Sequence, residues 1–266
     1  MSHDFATHPR RDNRPALVGM VHLLPTPGSP NWGGSMKVLL DAAERDADLL
    51  AANGCDALLV ENMADMPYLR GEVPAEVVAT MALATERVLA RGLPTGIQVL
   101  AGANRQALGI AAATGAHFIR VEAFAYAHVA DEGWMDACAG PLTRARAQVY
   151  PSVALWTDVQ KKHAAHTITA DISLADLSHG HAYCGADALI ITGSSTGHRT
   201  SPEQVRTAQT AGLPVVVGSG ITDENAAEFS HADALIVGSW LKVDGRWQNQ
   251  VDPSRVQALR RCIDSA

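Results

Sequence analysis

Eight short apolar runs, each followed by an alanine-rich stretch of helical period, set the main constraint on how this chain can fold. The runs are ALVGMVHL from Ala16, DALLVEN from Asp56, TGIQVLA from Thr95 and HFIRVEA from His117. They continue with VYPSVALW from Val149, DALIIT from Asp187, PVVVGSG from Pro214 and DALIVGS from Asp233. Continuous apolar runs separated by helical patterns mark parallel strands buried on both faces. Eight such units fit one α/β domain, a (β/α)8 TIM barrel, which typically needs about 250 residues. The chain has 266.

An internal echo supports the same architecture. GCDALLVE at Gly54 resembles GADALIIT at Gly185, and GLPTGIQVLAG at Gly92 resembles GLPVVVGSG at Gly212. GAHFIRVE at Gly115 pairs more loosely with HADALIVG at His231. Each match is offset by four strands, as two half-barrels of common pattern produce. An open doubly wound sheet predicts no such offset, and no GxGxxG follows the first run. Met36 to Asn53 reads as a helix closed by Gly54. Ser201-Pro202-Glu203-Gln204 reads as a capping box, and Met135 to Ala147 and Pro253 to Ile263 as further helices. Residues 124–135 read as an excursion. Residues 1–14 read as a poorly ordered arm, leaving 15–266 for the barrel.

Charge and cysteine usage narrow the function classes. A formal charge of −7 with a pI near 5.8 provides no basic footprint for nucleic acid. No apolar run approaches the roughly 18 residues of a membrane span, so no integral membrane association is expected. The first 15 residues have no apolar core and do not read as a secretory signal. Cys55, Cys138, Cys184 and Cys262 stand singly, as buried thiols in a reducing cytoplasm do. The expectation is a cytoplasmic protein that self-associates through its outer helices.

In a barrel, the carboxyl ends of the strands carry the chemistry and the opposite ends carry stability. Asp56, Asp187 and Asp233 begin their strands and read as structural. Gly218-Ser219-Gly220 ends the seventh run before a helix expected to be capped at Thr222 or Asp223, and Gly238-Ser239 ends the eighth. Glycine lets backbone amides approach an anion closely, and a helix start stabilises it. These turns therefore predict a phosphate subsite, with Thr192, Ser194 and Arg199 of TGSSTGHRT at its edge. A flexible polar loop explains that last segment equally well.

Period-two alternation turns Arg120 and Glu122 into the barrel. An inward charge must be paired or used, so Arg120 pairs with Glu61 or Glu122, or one of these carboxylates serves as a general base. WTDVQKKHAAH places Asp158, Lys162 and His163 past the fifth strand. Lysine forms a Schiff base or binds phosphate, histidine moves protons, and aspartate orients either. His163 and His166 alone make a poor metal set, since no cysteine or carboxylate stands at ligand spacing. No motif calls for a cofactor. His22, under the stiff loop HLLPTPGSP, reads as a pocket wall or a structural strand cap, and Asn62 as a substrate contact.

Together GMVHLLPTPGSP at Gly19, VEN at Val60, DVQKKH at Asp158, TGSSTG at Thr192, GSGITDEN at Gly218 and GSWLK at Gly238 resemble the BtpA/SgcQ family over residues 16–243. The resemblance implies a barrel of the ribulose-phosphate-binding group. Within that family one member is linked to photosystem I accumulation and another to a sugar-utilisation gene cluster. Its matching positions here are His22, Glu61, Asn62, Asp158, Lys162, His163, Gly218, Gly220, Asn225, Gly238 and Lys242. Gln160-Lys161 is less apolar than the family's DVxxKH motif implies.

Three functions compete. The first is an isomerase, epimerase or aldolase-type lyase acting on a small phosphorylated sugar, with Glu61, Glu122, Asp158, His163 and His22 as acid–base groups and Lys162 as electrophile. The second is glycosyl or nucleoside chemistry with a carboxylate pair and Trp156 stacked on a ring. The third is a non-enzymatic assembly or regulatory factor.

Overall fold

The computed structural model describes residues 2–193 and 200–266. Eight parallel strands close into a barrel. They are β1 (Ala16–His22), β2 (Ala57–Glu61), β3 (Thr95–Gln98), β4 (Phe118–Val121), β7 (Ala154–Asp158), β9 (Ala188–Ile191), β10 (Val215–Val217) and β11 (Ala234–Val237). Each pairs with its neighbours in chain order, and β11 closes on β1. The expected fold is therefore the observed one. Helices α2 (Met36–Ala52), α3 (Ala75–Leu89), α4 (Asn104–Thr114), α5 (Ala139–Val149), α6 (Leu174–Tyr183), α7 (Pro202–Gln209) and α8 (Pro253–Asp264) cover the outside. The fifth run starts later than expected, because Val149 ends α5 and the strand begins at Ala154.

The excursion after β4 is a hairpin, β5 (His128–Ala130) and β6 (Gly133–Met135), joined by β8 (Ala164–Ala165) into a small antiparallel sheet. Helix α5 consequently starts at Ala139 rather than at Met135. After β10 the expected helix is absent. A four-residue 3-10 turn, Ala226–Phe229, takes its place.

The repeated pattern has a structural counterpart at the amino ends of the strands. Asp56 accepts the N–H of Leu17 at 2.8 Å, Asp187 that of Leu155 at 2.8 Å, and Asp233 that of Val215 at 2.8 Å. His117 Nδ1 accepts from Thr95 N at 3.1 Å. The side chain opening every second strand of the barrel thus holds the first or second amide of the strand before it. Asp56 also takes Arg14 and Arg260, each at 2.9 Å, and Asp187 takes Arg146. These aspartates are structural, as their position in the sequence implied.

The arm is not loose. Residues Ser2–Thr7 form helix α1, and Phe5 is fully buried in the barrel floor. The inward residues of the lowest layer include Ala16, Ala57, Ala154, Ala188 and Ala234, too small to fill a barrel interior. Phe5 fills that space with Trp156 and Phe118, whose rings stack at 4.0 Å, while Trp156 Nε1 donates to Ala6 O at 2.7 Å. Gly96 is glycine because Phe118 lies across it, within 2.2 Å of where a Cβ would stand.

At α7 both arms of the capping box form, Gln204 N to Ser201 Oγ and Ser201 N to Gln204 Oε1. Ser201→Ala is expected to cost about 1 kcal/mol, read as a lower urea midpoint at unchanged slope.

Candidate functional site

The upper inward layer of the barrel is polar. From the strand ends, His22, Glu61, Gln98, Arg120, Glu122 and Asp158 point inward, with Gly218 beside Arg120 and Gly238 beside His22. The side chains below them are apolar, from Met20 and Leu59 to Ile190 and Ile236. A cavity of about 410 Å³ sits above this floor, lined by His22, Glu61, Arg120 and Lys162 and by the turns at Ser219–Thr222 and Gly238–Trp240.

Arg120 is clamped in a bidentate pair by Asp158, Nε to Oδ2 and Nη2 to Oδ1, both at 2.9 Å. Neither Glu61 nor Glu122 is its hydrogen-bond partner. The register explains this. Arg120 stands opposite Trp156 on the adjacent strand β7, so Asp158, two residues on, shares its face and lies within its reach. Asp158 is 2% exposed and both its oxygens are occupied. It positions the guanidinium, and each of its oxygens already accepts one hydrogen bond from it. Burial works against the charge of Arg120, but Asp158, with Glu61 and Glu122, outweighs burial and holds Arg120 firmly cationic.

Glu61 is the carboxylate that faces the cavity. Burial raises its pKa from 4.5 to about 7, with Arg120 opposing the shift and Glu122 and Asp158 adding to it. His22 Nε2 lies 3.5 Å from Glu61 Oε2. Burial, reinforced by Lys242, lowers the His22 pKa from 6.5 to about 3. The ring is therefore a neutral donor or acceptor at ordinary pH. Gly238 is glycine because this ring abuts it, with Cε1 at 2.9 Å from the position of a Cβ.

Glu122 lies under the β5–β6 hairpin and does not line the cavity. Lys161 reaches it at 3.6 Å and reaches Glu132 of the hairpin at 3.0 Å. Burial raises the Glu122 pKa despite Lys161. The sequence singled out Lys162. The chain uses both lysines, Lys161 to pin the hairpin over the mouth and Lys162 to line the cavity. His163 is exposed at φ 62° and borders no described cavity. Asn62 is fully committed elsewhere: its Oδ1 accepts from Leu100 N at 2.8 Å and its Nδ2 donates to Asp65 at 3.0 Å. It shapes the β3–α4 loop and does not line this cavity. Thr192 donates its hydroxyl to Gln160 O at 2.8 Å and packs its methyl toward Gly218. Ser194 and Arg199 lie outside the described residues.

The turn after β10 is built without a helix. Asn225 accepts from Thr222 N at 2.8 Å and donates to Gly220 O at 2.9 Å, folding residues 220–225 back on themselves. Gly220 takes φ 78°, a left-handed conformation suited to glycine. Among the described residues, the N–H groups of Ser219, Gly220 and Ile221 make no hydrogen bond, and all three residues border the cavity. Any help to an anion there comes from these amides and Lys162, not from a helix dipole. Ser239 opens the matching 3-10 turn after β11. Trp156, proposed as a ring-stacking platform, is instead part of the barrel floor. Among the described residues no group of three or more His, Cys, Asp or Glu side chains is arranged to hold a metal ion, and no helix is long and apolar enough to cross a membrane.

The sequence pattern of the BtpA family matches residues 13–265. The chain belongs to the BtpA family. A Caenorhabditis elegans relative named as an uncharacterised mitochondrial protein is 40% identical over 95% of this chain and 94% of its own. The photosystem I biogenesis protein BtpA of Synechocystis is 36% identical over 91% of this chain and 86% of its own. Solved structures share the fold at low identity. Tryptophan synthase from M. tuberculosis superposes with a TM-score of 0.61 at 18% identity, covering 98% of both chains. The 2-keto-3-deoxy-6-phospho-gluconate aldolase of Zymomonas mobilis superposes with a TM-score of 0.56 at 15% identity, covering 99% of this chain and 96% of its own. The BtpA-family chain is thus a TIM barrel.

Proposed function

We propose that this BtpA-family barrel is an enzyme that abstracts a proton beside a carbonyl on a small phosphorylated sugar. One observation carries the reading: Glu61, poised to ionise near neutrality, walls a cavity that the turn with three unspent amides also lines. A base is most effective when its pKa lies near the working pH. The amides at Ser219, Gly220 and Ile221, with Lys162, bind the phosphate and set the distance to Glu61. Arg120, fixed by Asp158, stabilises the negative charge that develops on the substrate oxygen. His22, neutral beside Glu61, relays or donates a hydrogen bond without competing for the proton.

Such a step serves isomerases, epimerases and aldolase-type lyases alike. The two superposed structures are named for a synthase and an aldolase, which agrees with this reading without selecting among them. Photosystem assembly does not describe what the family shares, because the nematode relative, 40% identical, belongs to an animal without a photosystem.

The test is ligand binding followed by exchange. A panel of sugar phosphates, their unphosphorylated sugars and inorganic phosphate is screened by thermal shift, and the binders are incubated in D2O. Phosphate esters should raise the melting temperature where the free sugars do not. The bound ester should exchange a carbon-bound hydrogen for deuterium at least 100-fold more slowly with Glu61→Gln. No stabilisation by any phosphate ester, or undiminished exchange in the variant, refutes the assignment.

A further inference from the structure

A second and larger cavity, about 670 Å³, lies beside the first, between α2 and the loop that follows β11. His22 is the residue that lines both. We infer that this second cavity receives a planar heterocycle carried on the phosphosugar, so that the substrate is a two-part, nucleotide-like molecule with His22 at the junction. The inference rests on the proposed phosphosugar reading and extends it.

Four observations carry it. The first is size. A sugar phosphate needs only the smaller cavity, whereas the second lies within the roughly 300–1,000 Å³ of ordinary ligand sites. The second is the apolar wall. Leu24, Val38 and Met66, 39%, 58% and 42% exposed, gather around this cavity. Large apolar side chains left exposed together mark a surface awaiting a partner. The Trp247 ring completes the wall, meeting His22 edge-on at 6.2 Å and 87°.

The third is unspent polarity. Asn31, Gln248 and Gln250 are exposed and border the cavity, and among the described residues their side chains make no hydrogen bond to protein. Primary amides offer donors and an acceptor together, the complement of a heterocycle edge. Arg45 on α2 is likewise unpaired, whereas Arg87 and Arg91 of the neighbouring α3 segment pair with Asp41, Glu44 and Asp48. The fourth is the deep end. Lys242 is 1% exposed and donates to Asp46 alone among the described residues. An ammonium has three hydrogens, so two remain for a carbonyl or ring nitrogen of the ligand. No phosphate is needed to explain this end, since Asp46 already balances the lysine charge.

The experiment compares ribose 5-phosphate, the four common ribonucleoside 5′-monophosphates and the corresponding nucleosides by calorimetry and tryptophan fluorescence. At least one nucleotide should bind ten-fold or more tightly than ribose 5-phosphate and quench fluorescence. Val38→Trp, a change at a half-exposed position, should fill the cavity and abolish that gain while leaving ribose 5-phosphate binding unchanged. Trp247→Leu, its melting temperature checked, should lose the quenching and most of the gain. Nucleotides binding no better than ribose 5-phosphate, or a gain that survives Val38→Trp, overturn the inference and leave the phosphosugar reading standing. Nucleosides that bind and lose binding in Val38→Trp, with ribose 5-phosphate inert, support the heterocycle site and refute the phosphate subsite. A panel with no binder at all refutes both.

Discussion

Asp158→Ala is expected to lower the unfolding free energy by about 3–5 kcal/mol, the usual cost of stripping the partner from a buried charge. The guanidinium of Arg120 sits inside the barrel, and both of its bonds to protein go to Asp158 at 2.9 Å. Glu61 and Glu122 are close enough to hold Arg120 charged electrostatically, but neither bonds to it. Removing Asp158 therefore leaves donors without acceptors, and the loss is not screened by solvent because Asp158 is 2% exposed. Asp158→Asn, which keeps one acceptor and the shape, should fall between the wild type and alanine. Urea denaturation at pH 7 measures both. An alanine variant within about 1 kcal/mol of wild type would place Arg120 on another acceptor and remove Asp158 from its positioning role. The same variant should also ease Glu61 toward its anion, since Asp158 is one of the charges raising its pKa while Arg120 opposes the shift.

That pair shows where the sequence was legible and where it was not. The barrel could be read because it rests on local pattern: eight apolar runs of the right length, and glycine stops between them. The structural role of Asp56, Asp187 and Asp233 could be read because it depends only on which end of a strand a residue occupies. Arg120 could be turned inward by alternation, yet its partner depends on which strand lies beside β4 and in what register. A chain read in one dimension does not contain that. Lys161 and Lys162 sit in a loop without a period, so nothing local assigns one to the hairpin and the other to the cavity. Glu132 and Trp247 lie on excursions with no pattern of their own. The arm was misread for a related reason. Its order comes from the ring of alanines at the barrel floor, which leaves a hole that Phe5 fills, and those alanines are scattered over the whole chain. The helix expected after Gly220 failed because Asn225 closes a turn there, and only four residues of 3-10 helix follow.

Glu61→Gln is expected to stabilise the protein by about 1–3 kcal/mol at pH 8 and to leave it nearly unchanged below pH 4.5. In the unfolded chain Glu61 loses its proton near its ordinary value of 4.5, and in the fold it keeps the proton until about 7. Between those pH values the native state binds more protons than the unfolded state, so the wild-type contribution falls as pH rises and the penalty is complete above 7. Glutamine has the same shape and nothing to ionise, which removes the penalty. His22 acts in the opposite sense over a partly overlapping range. Its pKa falls from 6.5 to about 3 on folding, so stability is lost as pH drops through that window, in the wild type and the variant alike. The difference between the two proteins isolates Glu61. Melting temperatures measured from pH 4.5 to 8 should diverge chiefly between about 5 and 7, and a gap that does not change with pH would refute the raised pKa. A buried carboxylate that destabilises its own fold at working pH is a cost that a structural role does not require, since glutamine fills the same space without it. What the carboxylate adds is a proton acceptor that becomes available as the pH passes 7, facing a cavity and held beside a fixed cation.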